Sequence, residues 1–139
     1  MIDTLTYQVN TLKLQVAIPW EEQFSYRQFA SKDAPNTGRL MDTALLKAIT
    51  RVKLRVGDRL KINSAYRTRR HNSHVGGSDQ SLHMQGKACD IQAISNERKY
   101  EIVKAAMQEN IPRIGIAKRF IHLDIGNGRK DQKPRIWLY

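Results

Sequence analysis

An α+β fold is what this sequence predicts: one domain over residues 1–139, with a small, mainly antiparallel sheet and helices packed on one of its faces. Three observations lead there. Short apolar runs with strand character recur along the chain, two amphipathic segments at helical spacing interrupt them, and no repeat, linker or composition shift marks a second domain. A chain of 139 residues has enough length to bury one modest core.

The elements follow in order. Leu12, Leu14, Val16 and Ile18 alternate with Lys13, Gln15 and Ala17, a half-buried strand ended by Pro19. Residues 31–38, with Asp33, Pro35, Asn36 and Gly38, form a loop. Over residues 39–56, Met41, Leu45, Ala48, Ile49 and Val52 recur at helical spacing until Gly57-Asp58 stops the helix. Residues 60–66 read as a strand. Residues 68–80 are polar and carry Gly76-Gly77, which predicts a long loop holding one helical turn. Residues 88–93 form a short strand carrying Asp90. A second helix spans residues 96–109, with Asn96 as its N-cap and Ile102, Val103, Ala106 and Met107 on one face. Asn110 and Pro112 end it. Strands follow over residues 113–117 and 119–125, joined by a tight turn, and a last one over 135–139.

Composition narrows the function classes. Hydrophobic residues at 40% and charged residues at 27% are ordinary for a soluble globular protein. No apolar run approaches a membrane span, and Met1-Ile2-Asp3-Thr4 lacks the basic start and apolar core of a signal peptide. The expected location is therefore the cytoplasm, or the cell wall and periplasm by another export route. The net charge of +11, from 24 Lys+Arg against 13 Asp+Glu, favours polyanionic partners: nucleic acid or an acidic cell envelope. Aromatic residues at 7% and the lack of a recognised nucleic-acid motif argue against the first. Cys89 is the only cysteine, which rules out an intramolecular disulfide. Beside Asp90 on a strand it faces the opposite side, into the core.

Two stretches carry the chemistry: Ser81-Leu82-His83-Met84-Gln85-Gly86-Lys87-Ala88-Cys89-Asp90 and Phe120-Ile121-His122-Leu123-Asp124. His83 and Asp90 converge if the chain turns at Gly86 and then enters a strand. His122 and Asp124, two apart on a strand, point to the same face. Mixed nitrogen and oxygen ligands suit Zn2+, and three protein ligands leave a coordination position for water, the arrangement of catalytic sites. His83, Asp90 and His122 are the candidate ligands, and Asp124 is the candidate general base. The zinc site then occupies the sheet face opposite the helices. His71 and His74, near Asp79, share one side of the predicted helical turn and are read as structural or substrate-loop residues in preference to zinc ligands.

The same residues resemble the zinc peptidoglycan peptidases, which include D-Ala-D-Ala carboxypeptidases, murein endopeptidases and phage L-alanyl-D-glutamate endopeptidases. The resemblance rests on Ser64-Ala65-Tyr66-Arg67, His71-Asn72, Val75-Gly76-Gly77, Ser81 through Asp90, and Phe120 through Asp124, in that order and spacing. It extends to Phe24-Ser25-Tyr26-Arg27-Gln28-Phe29 and to Trp137-Leu138-Tyr139, covering roughly residues 20–139. It implies that His83, Asp90 and His122 bind zinc, that the fold is a small α+β one, and that Arg67 holds a substrate carboxylate or carbonyl, with Tyr66 and Ser81 beside it. A guanidinium suits that task, since its paired donors match a carboxylate and murein stem peptides carry free carboxylates. Ser81 alternatively orients the ligand His83.

One position departs from several relatives. Three residues before the last zinc histidine they carry a catalytic acid, where this chain has Arg119. Arginine is no base near neutral pH, which leaves Asp124 for that role. Three functions therefore stand: a monomeric peptidoglycan peptidase, of phage endolysin or virion-lysin type; an inactive zinc-bearing wall-binding module; and, least favoured, a basic nucleic-acid-binding protein.

Overall fold

The computed structural model describes residues 23–57, 59–129 and 132–139. The strand predicted around residues 12–18 lies outside them. Helix α1 is Thr43–Val56. It begins later than the periodicity predicts because the Asp42 carboxylate accepts from the Ala44 and Leu45 amides, at 2.8 and 3.4 Å, and so caps the helix there. Thr37–Leu40 forms a separate 3-10 turn, and Met41, though buried, is extended (φ −68°, ψ 141°). Gly57, at φ 74°, closes the helix in the left-handed conformation.

The predicted helical turn in the 68–80 loop is α2, Arg69–His74, capped by the Thr68 hydroxyl, which accepts from the His71 amide at 3.0 Å. Helix α3 is Asn96–Gln108, and its N-cap is Ser95, not Asn96: the Ser95 hydroxyl accepts from the Arg98 amide at 3.1 Å. Ile102, Ala105 and Ala106 are its buried face, whereas Met107 is exposed, one position off the apolar stripe.

Five strands form one sheet: β1 Ile62–Ser64, β2 Ala88–Gln92, β3 Arg113–Ile116, β4 Phe120–Asp124 and β5 Arg135–Leu138, in the spatial order β1-β2-β4-β3-β5. Neighbours are antiparallel except β3 and β5, which run parallel. Strand period two then sorts the side chains. Cys89 and Ile91 of β2, Ile114 of β3, and Ile121 and Leu123 of β4 join Leu45, Ile49 and Val52 of α1 and Ile102 and Ala106 of α3 in one core. Each fully buried Leu or Ile contributes about 1.5–3 kcal/mol, so this core holds the sheet as a rigid platform. Cys89 is fully buried, and burial followed by the Asp90 charge pushes its thiol well above the usual range, as a core residue and not a nucleophile.

Asp90, His122, Asp124, Arg113 and Gly115 alternate with these core residues and so occupy the other face. There the register lines up Ser64, Asp90, His122, Gly115 and Trp137 across the five strands, with Asp124, Arg113 and Arg135 in the adjoining row. Among the described residues no helix is long and apolar enough to cross a membrane.

Candidate metal centre

His83 arrives from a 3-10 turn, Leu82–Gln85, whose N-cap is Ser81: its hydroxyl accepts from the His83 amide at 3.2 Å. Gly86 then reverses the chain into β2 at φ 70°, and a Cβ there would lie 2.2 Å from the Leu40 carbonyl oxygen. Only glycine meets both demands, which is how a His and an Asp seven residues apart reach one point.

Asp90 and His122 are direct cross-strand neighbours on β2 and β4. One donor atom from each of His83, Asp90 and His122 lies within 4.8 Å of the others, and all three residues are buried. The His83 Nδ1 lies 2.7 Å from the Ala65 carbonyl oxygen. A carbonyl only accepts, so Nδ1 carries a proton, and Nε2 faces the Asp90 carboxylate, 3.4 Å away. His122 directs Nδ1 to Asp90 Oδ1 at 2.8 Å and Nε2 to Asp124 Oδ2 at 2.7 Å.

The electrostatics follow from that geometry. Burial works against a charged His122, yet hydrogen bonds to Asp124 and Asp90 raise it to about 9. Burial likewise opposes ionisation of Asp90, and hydrogen bonds from His122 and His83 overcome it, holding the carboxyl well below its ordinary value. The metal-free cluster thus keeps a proton on His122 where a cation would sit. Two imidazoles and one carboxylate, with the His83 ring oriented by the Ala65 carbonyl so that Nε2 faces the cluster, form a donor set that fits zinc.

Asp124 does not face this cluster. The two nitrogens of an imidazole point to opposite sides of the ring, and Asp90 takes one side while Asp124 takes the other. Asp124 Oδ1 also accepts from Arg113 Nε at 2.7 Å and from the Gly126 amide at 2.9 Å. Burial opposes its charge, but His122, the Gly126 amide and the Arg113 guanidinium keep its pKa lowered. Both oxygens of this carboxylate are engaged, and one of them is placed to orient the His122 ring.

The expected substrate residues divide. Arg67 lies beside the cluster: Nη2 reaches Asp90 Oδ2 at 3.3 Å, Nε donates to Ser64 Oγ at 2.9 Å and Nη1 to Asn72 Oδ1 at 3.4 Å. Its own amide donates to the His83 carbonyl at 3.0 Å. Ser81 acts as the cap under His83. Tyr66 is partly buried and packs against the core. Arg119 is exposed on the turn before β4. His71 and His74 stack on α2 with ring centroids 6.4 Å apart, outside the ligand group.

Residue spacing alone gave no role to Arg113, Gly115, Trp137 or Tyr139. Trp137, next to Gly115 on β5, brings its ring centroid to 5.5 Å from that of His122, with the Arg113 and Arg135 guanidinium carbons 5.3 and 5.4 Å from its own centroid. The available signal was the terminal Trp137-Leu138-Tyr139 match, which carries no chemistry until the parallel pairing of β5 is known.

A search of the curated proteins finds no match to this chain. The family model described as Peptidase M15 matches residues 22–124, which is well over half the sequence and includes every residue of the cluster. With its His–Asp–His group on the open face of the sheet, the chain belongs to the peptidase M15 family of zinc peptidases.

Proposed function

We propose that this chain hydrolyses peptide bonds of bacterial peptidoglycan, in stem peptides or cross-links, with zinc held by His83, Asp90 and His122. The convergence of those side chains beside Arg67 is the observation that carries the reading. Bound there, zinc would supply Lewis acidity, polarising a scissile carbonyl and making water easier to deprotonate. The chain's own residues do the rest. The Ala65 carbonyl and the Asp124 carboxylate fix the two imidazoles. Arg67 directs one N–H each at Ser64, Asn72 and Asp90, leaving one on each terminal nitrogen for a substrate carboxylate. The net charge of +11 suits a monomer working at an anionic envelope surface, as an endolysin or virion-associated lysin does.

A second reading is a zinc-bearing, peptidoglycan-binding module without hydrolysis. The full engagement of Asp124 by His122, Arg113 and Gly126 favours it, together with Arg119 in the place where several relatives keep their acid. Mass spectrometry of muropeptides incubated with the zinc-loaded protein separates the two. New products support hydrolysis and their masses name the bond cut, whether DD-carboxypeptidase, DD-endopeptidase or L-alanyl-D-glutamate type. Zinc-loaded protein that sediments with peptidoglycan and releases nothing leaves the binding module.

A further inference from the structure

Beyond His122 the face of the sheet that carries the cluster continues into an aromatic wall. Gly115, beside His122 on β3, makes no turn, so conformational freedom does not explain its lack of a side chain. Close approach does. A Cβ there would lie 2.8 Å from Cε2 of both Trp137 and Tyr139. Tyr139 is paired one row further along, its amide donating to the Ile116 carbonyl at 3.0 Å, so its ring leans back toward the His122 row to reach that point. Phe120 supports it from β4 at a centroid distance of 5.4 Å.

The Tyr139 hydroxyl carries one hydrogen that it can donate to an acceptor, on a ring packed over the cross-strand neighbour of His122. It also feels the charges of Asp90 in the cluster and of Asp124 and Arg67 beside it.

We propose that Tyr139 is a catalytic residue of the peptidase, its hydroxyl donating a hydrogen bond to the scissile carbonyl oxygen as negative charge develops there, with Gly115 and Trp137 as positioning residues. This rests on the peptidase reading above. A phenol titrates at about pH 10, so the hydroxyl is a donor at neutral pH. At 69% exposure Tyr139 is open to a substrate, while the space over Gly115 keeps its ring in place.

The test compares the zinc-loaded protein with Tyr139→Phe and Gly115→Ala on muropeptides, together with zinc content and thermal midpoint. Loss of one such donor lowers kcat by about 10–100-fold, somewhat below the loss seen for a fully enclosed oxyanion donor. Tyr139→Phe should do this with KM, zinc content and midpoint unchanged, because the ring and its packing remain. Gly115→Ala, which displaces both rings and leaves the ligands intact, should also lower kcat at full zinc content. An active parent with Tyr139→Phe at the same kcat overturns this inference alone. A Tyr139→Phe protein that loses zinc or melts early makes the residue structural, which overturns it too. A zinc-loaded parent that cleaves nothing overturns the peptidase reading and this inference with it.

Discussion

Asp124 Oδ2 lies 2.7 Å from Nε2 of His122, on the side of the ring opposite Asp90. That relationship places Asp124 to orient the His122 ring, and the proposed zinc site puts this to a test. Asp124→Asn keeps an acceptor but removes the charge, and loss of such an outer partner weakens metal affinity by about 10–100-fold. Zinc titration should show that weakening, and activity should return when zinc is in excess. Normal zinc affinity with activity absent at saturating zinc would assign Asp124 as the base.

The same pair makes zinc uptake compete with a proton. In the metal-free protein His122 is raised to about 9, above its ordinary 6.5, so it is protonated at pH 7. Its contribution to folding is fully present below about 6.5 and is lost as pH rises through about 9. Metal-free melting temperatures should accordingly fall across that window. At pH 7 zinc binding should release about one proton, because metal ligands must be deprotonated. Calorimetric heats that do not depend on the buffer's ionisation enthalpy would contradict this.

Gly86 ties the His83 turn to β2. Gly86→Ala places a Cβ against the Leu40 carbonyl and at a left-handed φ, which by itself costs about 1–2 kcal/mol. The thermal midpoint should drop by several degrees and zinc affinity should fall with it, since His83 moves. Thermal unfolding and zinc titration of the variant check both, and an unchanged midpoint would show that the turn has room to relax.

Arg67 differs from a surface cation in being held by Ser64, Asn72 and Asp90. Arg67→Lys keeps the charge and loses the planar pair of donors, so it should raise KM for carboxylate-bearing muropeptides by about tenfold. Steady-state kinetics check this. An unchanged KM would assign the guanidinium to supporting Asp90 alone.

The meeting of Asp90 and His122 was legible in the sequence because strand period two places both on the face opposite Cys89, Ile121 and Leu123. The order of helices and strands followed from apolar spacing for the same reason. Ends were less legible: Asp42 and Ser95 cap helices at positions that an apolar stripe does not mark. Asp124 shows the deeper limit. Same-face spacing puts it beside His122, but which side of the imidazole it takes depends on Arg113 and Gly126, contributed by β3 and the turn after β4. The Gly115–Trp137–Tyr139 arrangement was illegible for a similar reason, since it exists only once β5 pairs in parallel with β3.

Incubation of intact peptidoglycan with the zinc-loaded protein and with His83→Ala, followed by mass spectrometry and zinc analysis of both, tests the central claim most directly. The account predicts cleaved stem peptides from the parent, and neither products nor bound zinc from His83→Ala. Full zinc content in His83→Ala, or a zinc-loaded parent that yields no cleaved peptide, would contradict it.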